Sequence, residues 1–143
     1  MIDLVNQQRK IKINTEMCGE IADKAIQLIK KPQNKTLTIA FVSDQKMRQL
    51  NRNFRGKNST TDVLSFPNDP DEFDEESANN LGDVIISAEQ AARQAAENNL
   101  TLEIEISQLI LHGILHLCGY DHENDLGEMN ALELRLRAEL GIA

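Results

Sequence analysis

Apolar positions along the chain fall into two rhythms. From Thr15 to about Lys31, residues Cys18, Ile21, Ala22, Ala25, Ile26 and Ile29 recur three and four apart, which predicts an amphipathic helix capped by Thr15 and broken at Pro32. Leu37 to Val42 (LTIAFV) is short and apolar throughout, as a buried strand is. Ser43-Asp44 then caps a helix to about Phe54, with Met47, Leu50 and Phe54 as its apolar stripe and Arg48 and Arg52 on other faces. Val63 to Phe66 reads as a strand stopped by Pro67, and Val84 to Ile86 as another. Between them, residues 67 to 80 are polar and acidic, the composition of a mobile, solvated loop. Ser87 caps the helix AEQAARQAAENN, with Glu89 in its first turn, and Asn98-Asn99 ends it. Thr101 starts the next helix, and from Ile104 to Cys118 nearly every side is apolar, so this helix is expected to be buried. A last helix runs to about Leu140 on Met129, Leu132, Leu134, Leu136 and Leu140, and Gly141 ends it. Residues 1 to 5 suit a short strand, and the alternation of Ile11 and Ile13 suits either a second strand-like piece or an extended lead-in. The order is β-α-β-α-β-β-α-α-α. Adjacent strands at 63–66 and 84–86 pair antiparallel and the earlier ones are separated by helices, so the expected fold is α/β, with helices packed on a mixed sheet of about four strands.

At 143 residues the chain is expected to form a single domain over 1–143. Aromatics are only 3% with no Trp, which leaves the core to Leu, Ile, Val and Ala and argues against a base-stacking sheet of the RRM or OB type. Two cysteines a hundred residues apart, Cys18 and Cys118, form no disulfide framework and read as buried thiols of a reducing cytosol. The N-terminus has no basic, apolar leader pattern and no run has the length of a membrane span, so the expected compartment is the cytoplasm. The net charge of −8, taken alone, counts against a nucleic-acid partner. Its distribution says otherwise. Residues 46 to 57 (KMRQLNRNFRGK) hold Lys46, Arg48, Arg52, Arg55 and Lys57 with no acid, whereas residues 69 to 76 (DPDEFDEE) hold six acids with no base, so an acidic chain can still present one basic face.

The chemistry concentrates in HGILHLCGYDH, residues 112 to 122, which contains all three histidines of the chain. His112 and His116, four apart, share one face of a helix and can converge on one ion, and Gly119 suits the left-handed turn that would bring His122 back to it. This is the metzincin spacing HExxHxxGxxH with Gly113 in place of the glutamate that serves those peptidases as general base. Three neutral histidines leave a metal its full charge and an open position, the arrangement of a catalytic site. A fourth ligand from Asp121 or Cys118 would make it structural. Amide hydrolysis wants the missing carboxylate. A phosphodiester instead wants a metal and a guanidinium on its non-bridging oxygens, and RNA can supply its own 2′-hydroxyl as nucleophile. Arg55, beside Gly56 in a loop, is the candidate guanidinium, with Arg52 and Lys57 placed to steer the RNA backbone.

Three blocks, NRNFRGKNSTTDVLSFP (51–67), LGDVIIS (81–87) and HGILHLCGYDH (112–122), together resemble the YbeY family of bacterial metal-dependent endoribonucleases, the ribosomal RNA maturation factors. The resemblance implies a zincin-like α/β fold built round a central histidine-bearing helix. It implies a single-strand-specific endoribonuclease acting in small-subunit ribosomal RNA maturation and ribosome quality control. It also implies one zinc ion held by His112, His116 and His122, Arg55 as the functional arginine, and the small ribosomal subunit and assembly factors as partners. Imidazole also suits Ni and Cu. Asn58 stands where the family often has Asp, and Thr60 where it often has Pro, and neither is a proposed ligand. Two other readings are a non-catalytic assembly factor, whose metal holds the His122 loop while the basic segment docks on ribosomal RNA, and a metzincin-like peptidase, which Gly113 disfavours.

Overall fold

The computed structural model describes residues 2–29, 36–68, 80–120 and 126–143. The acidic 69–76 stretch, Asp121 and His122 therefore lie outside the described residues, as does the end predicted for the first helix near Lys31. In chain order the elements are β1 (Ile2–Asn6), α1 (Thr15–Leu28), β2 (Thr36–Val42), α2 (Asp44–Arg55), β3 (Val63–Pro67), β4 (Asn80–Ser87), α3 (Ala88–Glu97), α4 (Leu102–Leu117) and α5 (Glu128–Leu140). This is the predicted succession. The four strands form one mixed sheet in the order β1-β2-β4-β3, with β1, β2 and β4 parallel and β3 antiparallel to β4 at the edge.

The period of two along each strand sorts the side chains onto two faces. Leu37, Ile39 and Phe41 of β2 and Val84 and Ile86 of β4 join the main core with α1 and α4. Val42, Leu64 and Ile85 pack with Met47 and Leu50 of α2 in a smaller cluster on the other face. Helix α4 is central, as its all-round apolarity predicts: Ile106, Ile110, Leu111, Ile114 and Leu115 are fully buried. Each contributes roughly 1.5–3 kcal/mol of burial free energy, so this helix is anchored far more firmly than one that rests a single stripe on a core.

Ser43, Ser87 and Thr101 cap α2, α3 and α4, each accepting from the amide three residues on. Helix α1 departs from expectation. Asn14, not Thr15, is its cap, with its Oδ1 accepting from the Met17 amide at 3.1 Å, and Thr15 is the first helical residue. Ile11 and Ile13 do not form a strand. The Gln8 side-chain amide takes both backbone groups of Ile11, donating to its carbonyl at 2.8 Å and accepting from its N–H at 2.9 Å, so the segment is satisfied without a sheet partner. Leu134 is 54% exposed, because the buried face of α5 runs through Met129, Glu133 and Leu136. Phe54 is not part of the stripe of α2 either: the buried positions are Met47 and Asn51, and Phe54 is 65% exposed in the last turn. Cys18 is buried as expected, whereas Cys118 is only partly so.

Candidate active site

Three backbone decisions place the histidines. First, α4 lies against β3 and β4 at the level of Gly113, close enough that a Cβ there would be 2.8 and 2.9 Å from the two methyl carbons of Val84 and 3.3 Å from Ser65 Oγ. Ser65 Oγ donates to the Gly113 carbonyl at 3.4 Å. The glycine that replaces the metzincin glutamate thus faces the sheet, and a side chain there would have to displace Val84. Second, α4 ends in a Schellman turn. The amide of Gly119 donates to His116 O at 3.0 Å and that of Tyr120 to Leu115 O at 3.1 Å, with Gly119 at φ +96°. Third, α5 crosses α4 and sets Glu133 beside His112.

Glu133 is a candidate site residue that the sequence pattern did not single out. Its side chain is 8% exposed. His112 Nδ1 lies 2.6 Å from Glu133 Oε1, and Arg137 Nη2 donates to Glu133 Oε2 at 2.7 Å. A carboxylate can only accept, so Nδ1 carries a proton, and in the neutral form of the ring the lone pair is then on Nε2. His112 Nε2 and His116 Nε2 are 3.0 Å apart, with the rings edge to face at 4.6 Å between centroids. Two nitrogens sharing one tetrahedral ion at ~2.0–2.1 Å would be roughly 3.3 Å apart, so the pair fits a shared metal. Among the described residues no group of three potential ligands gathers. A signal for Glu133 did exist: it is an acid on the same helical face as Met129 and Leu136, where an apolar residue belongs.

His112 and His116 sit in a cleft of about 680 Å³. Its other lining residues are Phe54 and Arg55 from the end of α2, residues 61–67 along the edge strand, and Gly119 and Tyr120. The cleft therefore joins Arg55 to the two histidines, the conjunction expected from their chemistry alone. Arg52 and Lys57 are exposed nearby on α2 and the loop after it, but do not line the cleft. The mount of this basic segment is firm. Buried Asn51 donates to Ser59 O at 2.8 Å, and Gly56 caps α2, its backbone N–H donating to Arg52 O at 3.1 Å. At the other end of α2, Asp44 accepts from Ser87 Oγ at 2.6 Å and from Arg93 Nη2 at 2.6 Å. Burial pushes the Asp44 carboxyl up, but the hydrogen bonds from Ser87, Arg93 and Thr60 and the Arg93 charge together outweigh it and hold its pKa below the usual carboxylate value.

Residues 3–141 match the family model described as Endoribonuclease YbeY. The chain belongs to the YbeY family. Proteins named Endoribonuclease YbeY from Thermodesulfovibrio yellowstonii and Finegoldia magna are 36% and 38% identical to it, over 97% and 99% of this chain and 96% and 95% of their own lengths. The YbeY of Solibacter usitatus is 50% identical over 71% of this chain and 64% of its own length. The fold is similar to the solution structure of TM1509 from Thermotoga maritima, with a TM-score of 0.66 and 28% identity over 98% of this chain and 89% of that one. The YbeY match spans all three sequence blocks: the first lines the cleft as its basic and edge-strand wall, the second supplies the strand against Gly113, and residues 112–120 of the third supply the histidine helix and its turn.

Proposed function

We propose that this protein is an endoribonuclease that hydrolyses phosphodiester bonds of single-stranded RNA with one bound zinc ion. We place its work in the cytoplasm, in maturation of small-subunit ribosomal RNA and in ribosome quality control, with the small subunit and its assembly factors as partners. The observation that carries the reading is the convergence of His112 and His116 through Nε2, 3.0 Å apart, in the cleft that Arg55 also lines. Family membership adds the reaction class, since the relatives are named endoribonucleases.

His112, His116 and His122 would hold the metal, which when bound supplies a Lewis acid for a phosphate oxygen and lowers the pKa of a water. Glu133, braced by Arg137, keeps the His112 lone pair aimed into the cleft. Arg55 offers a fork of donors to the non-bridging oxygens, where charge grows in the transition state. Arg52 and Lys57, outside the cleft, draw in the strand on either side of the reacting phosphate. A peptidase is disfavoured on packing as well as chemistry, because a glutamate at 113 would drive its Cβ into Val84.

The deciding experiment measures metal content and cleavage of single-stranded RNA on one purified sample, with and without a chelator. Cleavage should disappear with the metal, and His116→Ala and Arg55→Ala should each lose at least tenfold in rate with circular dichroism unchanged. Undiminished cleavage by metal-free protein, or full activity in both variants, would overturn the reading. RNA binding without cleavage in the metal-loaded wild type would instead favour the assembly-factor role.

A further inference from the structure

The chain has only five aromatic residues, four Phe and one Tyr. Three of them, Phe54, Phe66 and Tyr120, line the cleft. Phe54 is 65% exposed. An exposed ring in the middle of a surface is unremarkable, but this one borders the cleft, next in sequence to Arg55, on a helix end that Asn51 and Gly56 hold in place. Its ring meets Phe66 edge to face, 5.2 Å between centroids and 66° between planes. That contact orients the Phe54 ring without covering it.

We propose that Phe54, oriented by Phe66, is a stacking platform for one unpaired nucleobase of an RNA strand whose adjoining phosphate is held at Arg55. The proposal rests on the reading of RNA as substrate and adds a base-binding subsite to it. Charge complementarity selects the occupant. A strand that alternates π-faces with phosphates matches a ring followed directly by a guanidinium, with Arg48, Arg52 and Lys57 exposed on the same helix and loop. Bases inside a duplex are already covered by their neighbours, so the platform favours single strands, and it does so without reading sequence, because every base has a π-face.

The test uses metal-free full-length protein, so that binding is read apart from cleavage. A short fluorescein-labelled single-stranded RNA is titrated against wild type, Phe54→Ala, Phe54→Leu and Phe54→Trp, alongside an abasic strand with the same phosphates. Phe54→Ala and Phe54→Leu should weaken binding of the base-bearing RNA by roughly 5- to 100-fold, while Phe54→Trp retains it. None of the substitutions should change binding of the abasic strand. The chain has no Trp, so Phe54→Trp also introduces a lone indole, whose fluorescence the base-bearing strand should quench and the abasic strand should not. Wild-type binding with equal binding by Phe54→Ala, or an unquenched indole, overturns the platform alone and leaves that ring to a protein partner. A wild type that binds neither strand overturns the RNA reading itself.

Discussion

His112 and Arg55 line the same cleft, yet they are held on opposite terms. His112 belongs to a helix buried on nearly every side, and its ring is fixed by a carboxylate from another helix 21 positions away in sequence. Arg55 is exposed at the end of α2, and what is fixed there is the backbone, through Gly56 and Asn51, while among the described residues no hydrogen bond or ion pair holds the guanidinium. The difference suits the two tasks proposed for them. A ligand must hold one lone pair on one point, which takes packing and a buried hydrogen bond. A cation that meets a flexible polyanion works through a field, and a rigid mount for a free side chain suffices.

The sharpest way to break the histidine side is Glu133→Ala, which removes the carboxylate partner of both Arg137 and His112 Nδ1. With Arg137 partly exposed, the expected loss is about 2–3 kcal/mol in urea unfolding, below the full cost of breaking a buried pair. Glu133→Gln should recover part of it. An unchanged midpoint would mean that the pair contributes nothing to the fold. Next in size is Gly113→Ala. Alanine gains roughly 1 kcal/mol of helix propensity, but its Cβ meets the two methyl groups of a buried, β-branched Val84, and a net loss of about 1–2 kcal/mol is expected. Adding Val84→Ala should restore helix packing at that point, so the double variant should lose less than the sum of the two single changes.

On the basic side the effects shrink. The lowered pKa of Asp44 means that its contribution to stability is complete above the unfolded carboxylate pKa, about 3.9, and is lost as pH falls through the lower folded value. Asp44→Asn should cost about 1 kcal/mol at neutral pH, and its thermal melts should converge with wild type only in acid below that point. Arg55→Ala should shift stability by less than about 0.5 kcal/mol while removing cleavage. A large loss of stability would show that this arginine is structural and would erase the contrast between the two walls.

The same contrast explains what could be read from the chain alone. Element order followed from periodicity and caps because both are local: Ser43, Ser87 and Thr101 bond amides three residues away. The mixed sheet followed because two strands without a helix between them can pair as neighbours. His112 and His116 were legible because a four-residue spacing on a helix is itself geometry. Arg55 was reached through chemistry, and the cleft puts it with the histidines. Glu133 was hidden because its meaning is a contact between helices, though an acid on an apolar face was a fair warning. Gly113 marks a missing base in the sequence pattern, and the structure adds the neighbour that approaches it closely, Val84, on a strand that the helix pattern cannot show. Phe54 was assigned to the core because hydrophobic type says nothing about where a helix face runs out.

The assembly of the cleft from distant parts also has a kinetic meaning. A chain growing from its N-terminus has all four strands by Ser87 and its basic helix by Arg55. The histidine wall needs α4 packed on β3 and β4, and its bracing needs Arg137, near the end of α5. Contacts with such sequence separation form late, since the entropy of closing the intervening loops is lost before the contacts return it. During synthesis, then, the basic wall of the cleft exists before the histidine wall is braced, and a chain interrupted before α5 would present the first without the second.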